Sequence, residues 1–355
     1  MRMRRYLAAE CLVLAVMVAL AGLAARGLVR IALAERARQA PVPFADALAT
    51  PADRDPALLP SPVTAQDSAG TFLGMEDDLL IGRLRHQPIV RMKLNHGGSS
   101  LSFRVDLADG SRAAFKPAQT NLQTIPRKEV AAYRLNRLLG LSAVAPATPR
   151  MVSREEIFSH LHSDTIPSLS RLRSEIVFDP RGNTAGVMMY WIPRIKESGL
   201  DTPEGIAEST LWLTPGQPVP ADRRSLAAQL SDMMVFDFLI ANPDRFSGGN
   251  MMTNEDGSRL YFMDNTLAFF IEPEGNDKVR AALARTQRFS RRLYEALDLI
   301  SEHTLAQMLA EASEGDYEIL TKPEIRAVVS RRDYVKRYIG GLMATFGMAE
   351  VLYFP

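Results

Sequence analysis

The chain has 355 residues, 46% of them hydrophobic, enough to pack a core and, beyond the N-terminus, two lobes of roughly 150 residues each. Its 42 basic and 41 acidic residues nearly cancel, and no basic stripe marks a nucleic-acid partner. The one cysteine, Cys11, lies in the N-terminal apolar stretch, which excludes internal disulfides, cysteine zinc sites and a cysteine nucleophile from the globular body.

The chain opens with a basic head, Arg2, Arg4 and Arg5, followed by an uninterrupted run of apolar residues and one glycine from Cys11 to Ala25. Residues 1–35 are expected to form a single-pass membrane anchor. The rival readings are a signal segment cleaved near Ala32–Ala34, after which the body is exported, and a helix lying on the membrane. Arg26, Arg30, Arg36 and Arg38 follow the run, so the positive-inside count leaves the side of the membrane unassigned. Residues 36–70, rich in Ala and Pro without a period, are expected to be a linker.

The body begins near Thr71. Pro88–Leu94 reads as a strand, Asn95–Ser100 as a glycine-containing loop, Leu101–Leu107 as an alternating strand, "ADGS" as a turn and Arg112–Pro117 as a third strand. Pro126–Leu141 has an apolar face of Val130, Tyr133, Leu135, Leu138 and Leu139, and Gly140 stops it, which predicts an amphipathic helix. A hairpin is expected from "SEIVFD" through the turn "PRGN" to Thr184–Pro193. From about Asp201 the pattern is helical. One long helix, "RRSLAAQLSDMMVFDFLIAN", runs into the polar loop "PDRFSGGN", and Arg259–Asn265 reads as a short strand.

Phosphoryl transfer needs backbone amides and a cation over a triphosphate, oxygen ligands for a metal, and an acceptor that orients the attacking hydroxyl. Each role has a candidate. Gly97 and Gly98 let backbone approach phosphates between two strands, although Gly-Gly in a hairpin is ordinarily only a turn. Lys116 on the third strand, one of seven lysines in the chain, can reach phosphates. Glu129 in the following helix can pair with Lys116 or face a metal, against its default as a surface residue. Asp244 can accept the substrate proton, while Asn250 and the strand-ending Asp264 can ligate a metal. Trp191, with Pro193, ends the hairpin where adenine contact and core packing are equally good readings. Arg245 is read as half of a structural ion pair, Asp237 as a buried polar support, and His160 and His162 as surface. The specificity lies in the combination.

The segments "DGSRAAFKP" and "KEVAAYRLNRLLGL", then "NPDR" and "FMDN", resemble the four-jointed and Golgi casein kinase family of secretory-pathway kinases, part of an atypical superfamily that includes HipA-type kinases. The likeness covers roughly Pro88–Ala268. It implies an α+β, two-lobed protein-kinase-like fold, with an antiparallel-sheet N-lobe carrying one helix (71–195) and a mostly helical C-lobe (196–355). It also implies that Lys116 binds ATP phosphates, Glu129 supports it or the metal, Asp244 is the catalytic base and Asp264 holds Mg²⁺ or Mn²⁺. The implied activity is ATP-dependent transfer of the γ-phosphate to a hydroxyl, with a protein Ser/Thr as the favoured acceptor. The alternatives are a nucleotide-binding pseudokinase that scaffolds at the membrane, or a sugar or lipid kinase. Three departures stand out. The body has no Cys, Asn250 follows Asp244 by six positions where relatives with an Asn tend to have five, and "MDNTLAFF" does not continue into a glycine-rich sequence.

Overall fold

A computed structural model describes residues 70–313 and 317–355. All of these fall in one compact unit, Asp55–Pro355. The anchor-or-signal expectation for residues 1–35 and all of the linker except Gly70 lie outside the described residues. Among the described residues no helix is long and apolar enough to cross a membrane.

A small hairpin of β1 (Thr71–Phe72) and β2 (Met75–Glu76) leads into helix α1 (Asp77–His86). Then come β3 (Ile89–Leu94), β4 (Phe103–Leu107) and β5 (Arg112–Pro117), the three strands read from the sequence. The burial of β4 alternates, with Phe103, Val105 and Leu107 inside and Arg104 and Asp106 half-buried, as the period-two pattern requires. Helix α2 (Arg127–Leu138) follows, with Val130, Tyr133 and Leu135 buried, and Gly140 ends it in the left-handed region at φ 68°. The sheet is completed by β6 (Ala147–Ser153) and β7 (Asn183–Tyr190), in the antiparallel order β3-β4-β5-β7-β6.

The hairpin prediction was half wrong. The turn forms, with Asp179 accepting from the amides of Arg181 and Asn183 and Gly182 at φ 82°. Yet "SEIVFD" is not its first strand. Ser174 and Glu175 end a short helix, and Ile176 makes only an isolated bridge to Gln119. β7 pairs with β5 on one side and with β6 on the other, and the polar, proline-containing sequence of β6 hides its strand character. Pro149 is tolerated because β6 is an edge strand. Helix α1 was also unforeseen. It covers this edge, burying Leu80, Ile81 and Leu84 while Arg85 Nε donates to Thr148 Oγ1 at 2.8 Å.

Gly186 on β7 faces Pro117 in the register. A Cβ there would meet Phe115 Cζ at 2.5 Å and the Lys116 carbonyl oxygen at 2.8 Å. Gly186→Ala is therefore expected to cost about 1–3 kcal/mol by overpacking. Chemical unfolding would check this, and an unchanged midpoint would show that β5 can yield.

After β8 (Lys196–Glu197) and α3 (Pro203–Trp212) the chain enters α4 (Arg224–Ile240), buried without interruption from Leu230 to Ile240. Ala241, at φ 52°, ends α4 in the left-handed region and turns the chain into the polar loop. Beyond the loop, β9 (Met251–Thr253) and β10 (Leu260–Phe262) pair antiparallel, and β8 adds to β9. The strand expected over Arg259–Asn265 is shorter because Asp264 sits at φ 49°, which breaks extended backbone. The remainder is helical. It includes α5 (Asp277–Ala284), α6 (Arg291–Ala296), α7 (Glu302–Ala312) and the 25-residue α8 (Lys322–Phe346).

Candidate active site

Lys116 projects from β5 and Glu129 from the first turn of α2. Packing the helix on the sheet brings Lys116 Nζ to 2.8 Å from Glu129 Oε1. The same ammonium lies 2.8 Å from Asp264 Oδ1, at the end of the strand β10 segment 148 positions later in the chain. Both members of the first pair are almost fully buried, whereas the Asp264 side chain keeps 36% of its surface open. Burial alone would lower the lysine, but the carboxylates of Asp264 and Glu129 hold it above its ordinary value. Burial alone would raise Asp264, but the Lys116 ammonium and the Thr266 hydroxyl bring it down to about 2. The site is a cation clamped between two anions, one of which faces the open.

The far oxygen of Glu129, Oε2, accepts from Asn265 Nδ2 at 3.2 Å. Asn265 Oδ1 accepts from Arg245 Nη2 at 2.7 Å. Arg245 is 1% exposed and spends all five donors. Nε and Nη2 fork onto Asp237 at 2.9 Å, Nη1 donates to the carbonyls of Asn250 and Met263, and Nη2 also holds Asn265. Arg245 is thus the structural ion pair that the sequence favoured, and Asp237 its buried support. The role of Asn265 was not foreseen. The available signal was its position beside Asp264 in "FMDN", but one amide beside a carboxylate has no distinctive spacing.

Asp244 sits in the polar loop with its amide donating to Asn242 Oδ1 at 3.0 Å. Asn242 Nδ2 in turn donates to the Asp264 carbonyl at 3.3 Å, linking the two aspartate segments. Ser247 Oγ donates to Asp244 Oδ1 at 2.6 Å, and Asn250 Nδ2 reaches the Asp244 carbonyl at 2.9 Å. Gly248 and Gly249, at φ 87° and 70°, turn the loop back towards Asp244. Met263 N donates to the Asn250 carbonyl at 3.0 Å, which places Asn250 one ladder step from Asp264.

Not every predicted site residue joins this cluster. Gly97 and Gly98 adopt φ 123° and 77° in the exposed β3–β4 loop. Around them, Ser99 O accepts from Arg171 and Ser100 Oγ meets Thr124 Oγ1 at 2.7 Å. Those bonds tie the loop to neighbouring segments and not to Lys116. Trp191 follows β7, half-buried, with its amide donating to Arg112 O at 3.3 Å. His160 and His162 lie at the outer edge beside β3. A cavity of about 730 Å³ is lined by residues such as Ser142, Asp232, Asn254 and Tyr261 and by none of Lys116, Glu129, Asp244 or Asp264. The converging charges therefore lie outside this cavity.

A metal finds few ready ligands. Among the described residues no cluster of three His, Cys, Asp or Glu exists. Two hard oxygens do remain, since the protein's hydrogen bonds to Asp264 fall on Oδ1 and those of Asn250 run through Nδ2 and its backbone carbonyl. A carboxylate and an amide oxygen suit a divalent ion that takes its other ligands from phosphates and water.

Comparison with known proteins bears on the ancestry of this arrangement. The profile of the four-jointed box protein middle domain matches residues 76–269, more than half of the chain. The chain belongs to the four-jointed box family. The family resemblance read from its motifs is borne out. Similar to it is the human extracellular serine/threonine protein kinase FAM20C, 22% identical over 331 positions covering 78% of this chain and 56% of that one. The chain thus spans about half the length of this curated relative. Among solved structures, the Golgi casein kinase with Mn/ADP bound superposes with a TM-score of 0.59 at 18% identity over 78% of each chain. The structure of hydra Fam20 with sugar matches with a TM-score of 0.59 at 18% identity, over 77% of this chain and 90% of that one. These likenesses establish the α+β, two-lobed protein-kinase-like fold, with the antiparallel sheet and α2 in one lobe and mostly helices in the other.

Proposed function

We propose that this four-jointed box family member is an ATP-dependent phosphotransferase acting on a hydroxyl acceptor, with a protein Ser/Thr favoured. The observation that carries this is Lys116 held 2.8 Å from both Glu129 and Asp264, with the Asp244 loop hydrogen-bonded to the Asp264 backbone. Lys116 places a fixed positive charge where phosphate oxygens gather. Asp244, braced by Asn242 and Ser247, orients the acceptor hydroxyl and takes its proton as that oxygen bonds to the γ-phosphorus and the bond to the bridging oxygen breaks. Asp264 and Asn250 would hold Mg²⁺ or Mn²⁺, which when bound supplies charge neutralisation for the phosphates. Gly97 and Gly98 are proposed to cover the phosphates and Trp191 to flank adenine. The Mn/ADP bound to the Golgi casein kinase supports the nucleotide and the metal. The name of FAM20C supports a protein acceptor, and the sugar of hydra Fam20 keeps a sugar hydroxyl as the second. A lobe boundary near residue 195 and a membrane anchor or export signal in residues 1–35 complete the proposal.

The test incubates the full chain with ATP, Mn²⁺ or Mg²⁺ and Ser/Thr peptides. Asp244→Ala is expected to lower transfer about 10²–10⁴-fold while nucleotide still raises the melting temperature. Equal ATP consumption by both proteins would remove Asp244 from its role. A nucleotide-induced thermal shift with no turnover in either would make this chain a binding module.

A further inference from the structure

Glu129 must stay on Lys116 for the proposed chemistry, and in this fold it sits on a helix packed against a sheet that could let it swing away. Its neighbour in the same helical turn prevents that. Arg127 Nη1 and Nη2 fork onto Glu324 Oε2 and Oε1 at 2.8 and 2.9 Å, and Nη1 also donates to the Ile319 carbonyl at 2.6 Å. Glu324 is 197 positions away, in the first turn of α8, with its side chain 8% exposed. Lys128 adds to the same join. Its Nζ donates to the carbonyl of Ala268, lies 3.9 Å from Glu324 Oε1 and stands 4.9 Å over the Phe270 ring. Seven residues along α8, on the same face, Arg331 is fully buried. Its Nε donates to the Leu239 carbonyl at 2.7 Å and its Nη1 to the Phe270 and Glu272 carbonyls at 2.8 Å. One helix therefore grips the element that carries Glu129, the segment that follows Asp264, and the end of α4 that delivers Asp244.

We propose that Arg127 and Glu324 are positioning residues, a strut from α8 to α2 that holds Glu129 against Lys116. This rests on the phosphotransferase reading for its catalytic meaning, but the geometric claim stands on its own. A forked guanidinium–carboxylate pair fixes direction as well as distance, so α2 cannot rotate without breaking two bonds at once. A plain lobe-to-lobe glue would instead change stability and leave the Lys116 environment as it was.

The experiment compares the full-length wild type with Arg127→Leu, Arg127→Lys and Asp77→Asn. The last breaks the Arg137–Asp77 pair, 2.7 Å, at the other end of α2 and serves as a stability control. Two readouts are taken well below each melting temperature: the rate at which an activated ester acylates Lys116, followed by mass spectrometry, and kcat and KM for peptide phosphorylation. Lys116 is 9% exposed in the pair with Glu129, so it is protected in the wild type. Arg127→Leu is expected to raise its acylation at least about tenfold and to lower kcat by about a hundredfold with little change in peptide KM, the scale that a misplacement of about 1 Å produces. Arg127→Lys restores part of both, and Asp77→Asn changes neither, whatever it does to the melting temperature. Lys116 acylation unchanged in Arg127→Leu would overturn the strut. A wild type that transfers no phosphate, together with the expected acylation pattern, would overturn the kinase reading and leave the strut standing.

Discussion

Lys116→Met is expected to abolish phosphoryl transfer and to destabilise the fold at pH 7 by about 3–5 kcal/mol, because it strands the buried Glu129 carboxylate without its cation. The larger share falls on Glu129, since Asp264 keeps a third of its side chain open to screening water. The sign with pH follows from the direction of each shift. Asp264 is lowered from 3.8 to about 2 in the folded chain, so its contribution is present above pH 4 and disappears as pH falls through 2. Lys116 is raised, so its contribution is complete below its ordinary value of 10.5 and is lost only in strong alkali. The wild type therefore loses this stabilisation in acid. Lys116→Met lacks the Asp264 part of this stabilisation at every pH, so the gap between the two proteins narrows as pH drops from 4 towards 2. Urea unfolding at several pH values measures this. A gap that stays constant with pH would mean that the loss is one of packing alone.

The second large effect is at Arg245. Arg245→Met leaves Asp237 buried with no counter-charge and is expected to cost about 3–5 kcal/mol. It also releases Asn265 and the carbonyls of Asn250 and Met263, so both aspartate segments lose their common anchor. The double variant Asp237→Leu/Arg245→Met separates the two consequences. Replacing both charges with apolar groups should recover most of the stability, since a buried ion pair often does no better than a hydrophobic pair. Activity should not return, because Asn265 then loses the guanidinium that orients its Oδ1 and keeps its Nδ2 on Glu129. Full activity in the double variant would show that the network serves stability only.

Local elements are easier to read from the chain than the way they pair over long range. Strands β3 to β5 and helix α2 announce themselves through alternation, an Asp-Gly turn and a helix-stopping glycine, all local signals. The five-stranded sheet was not fully legible, because β6 carries Pro149 and Arg150 and takes its strand identity from pairing with β7. A short helix with only three apolar residues inside, α1, likewise becomes stable through what it covers. At the candidate site, residue types and order single out Lys116, Glu129, Asp244 and Asp264 and allow the Lys116–Glu129 pair, but not the contact of Lys116 with Asp264. The contact of Lys116 with Asp264 spans most of the body, and the bridge through Asn265 and Arg245 exists only once two lobes are packed.

Asn250 returns to the Asp244 carbonyl and to the backbone of Met263 across a loop that holds two adjacent glycines. Two glycines in the left-handed region let the chain turn back there. What such a loop preserves is the closure of a ring, not the number of links in it. A search for the same arrangement in other chains is better written as an aspartate and an asparagine joined by a glycine hinge of variable length than as a fixed count between them.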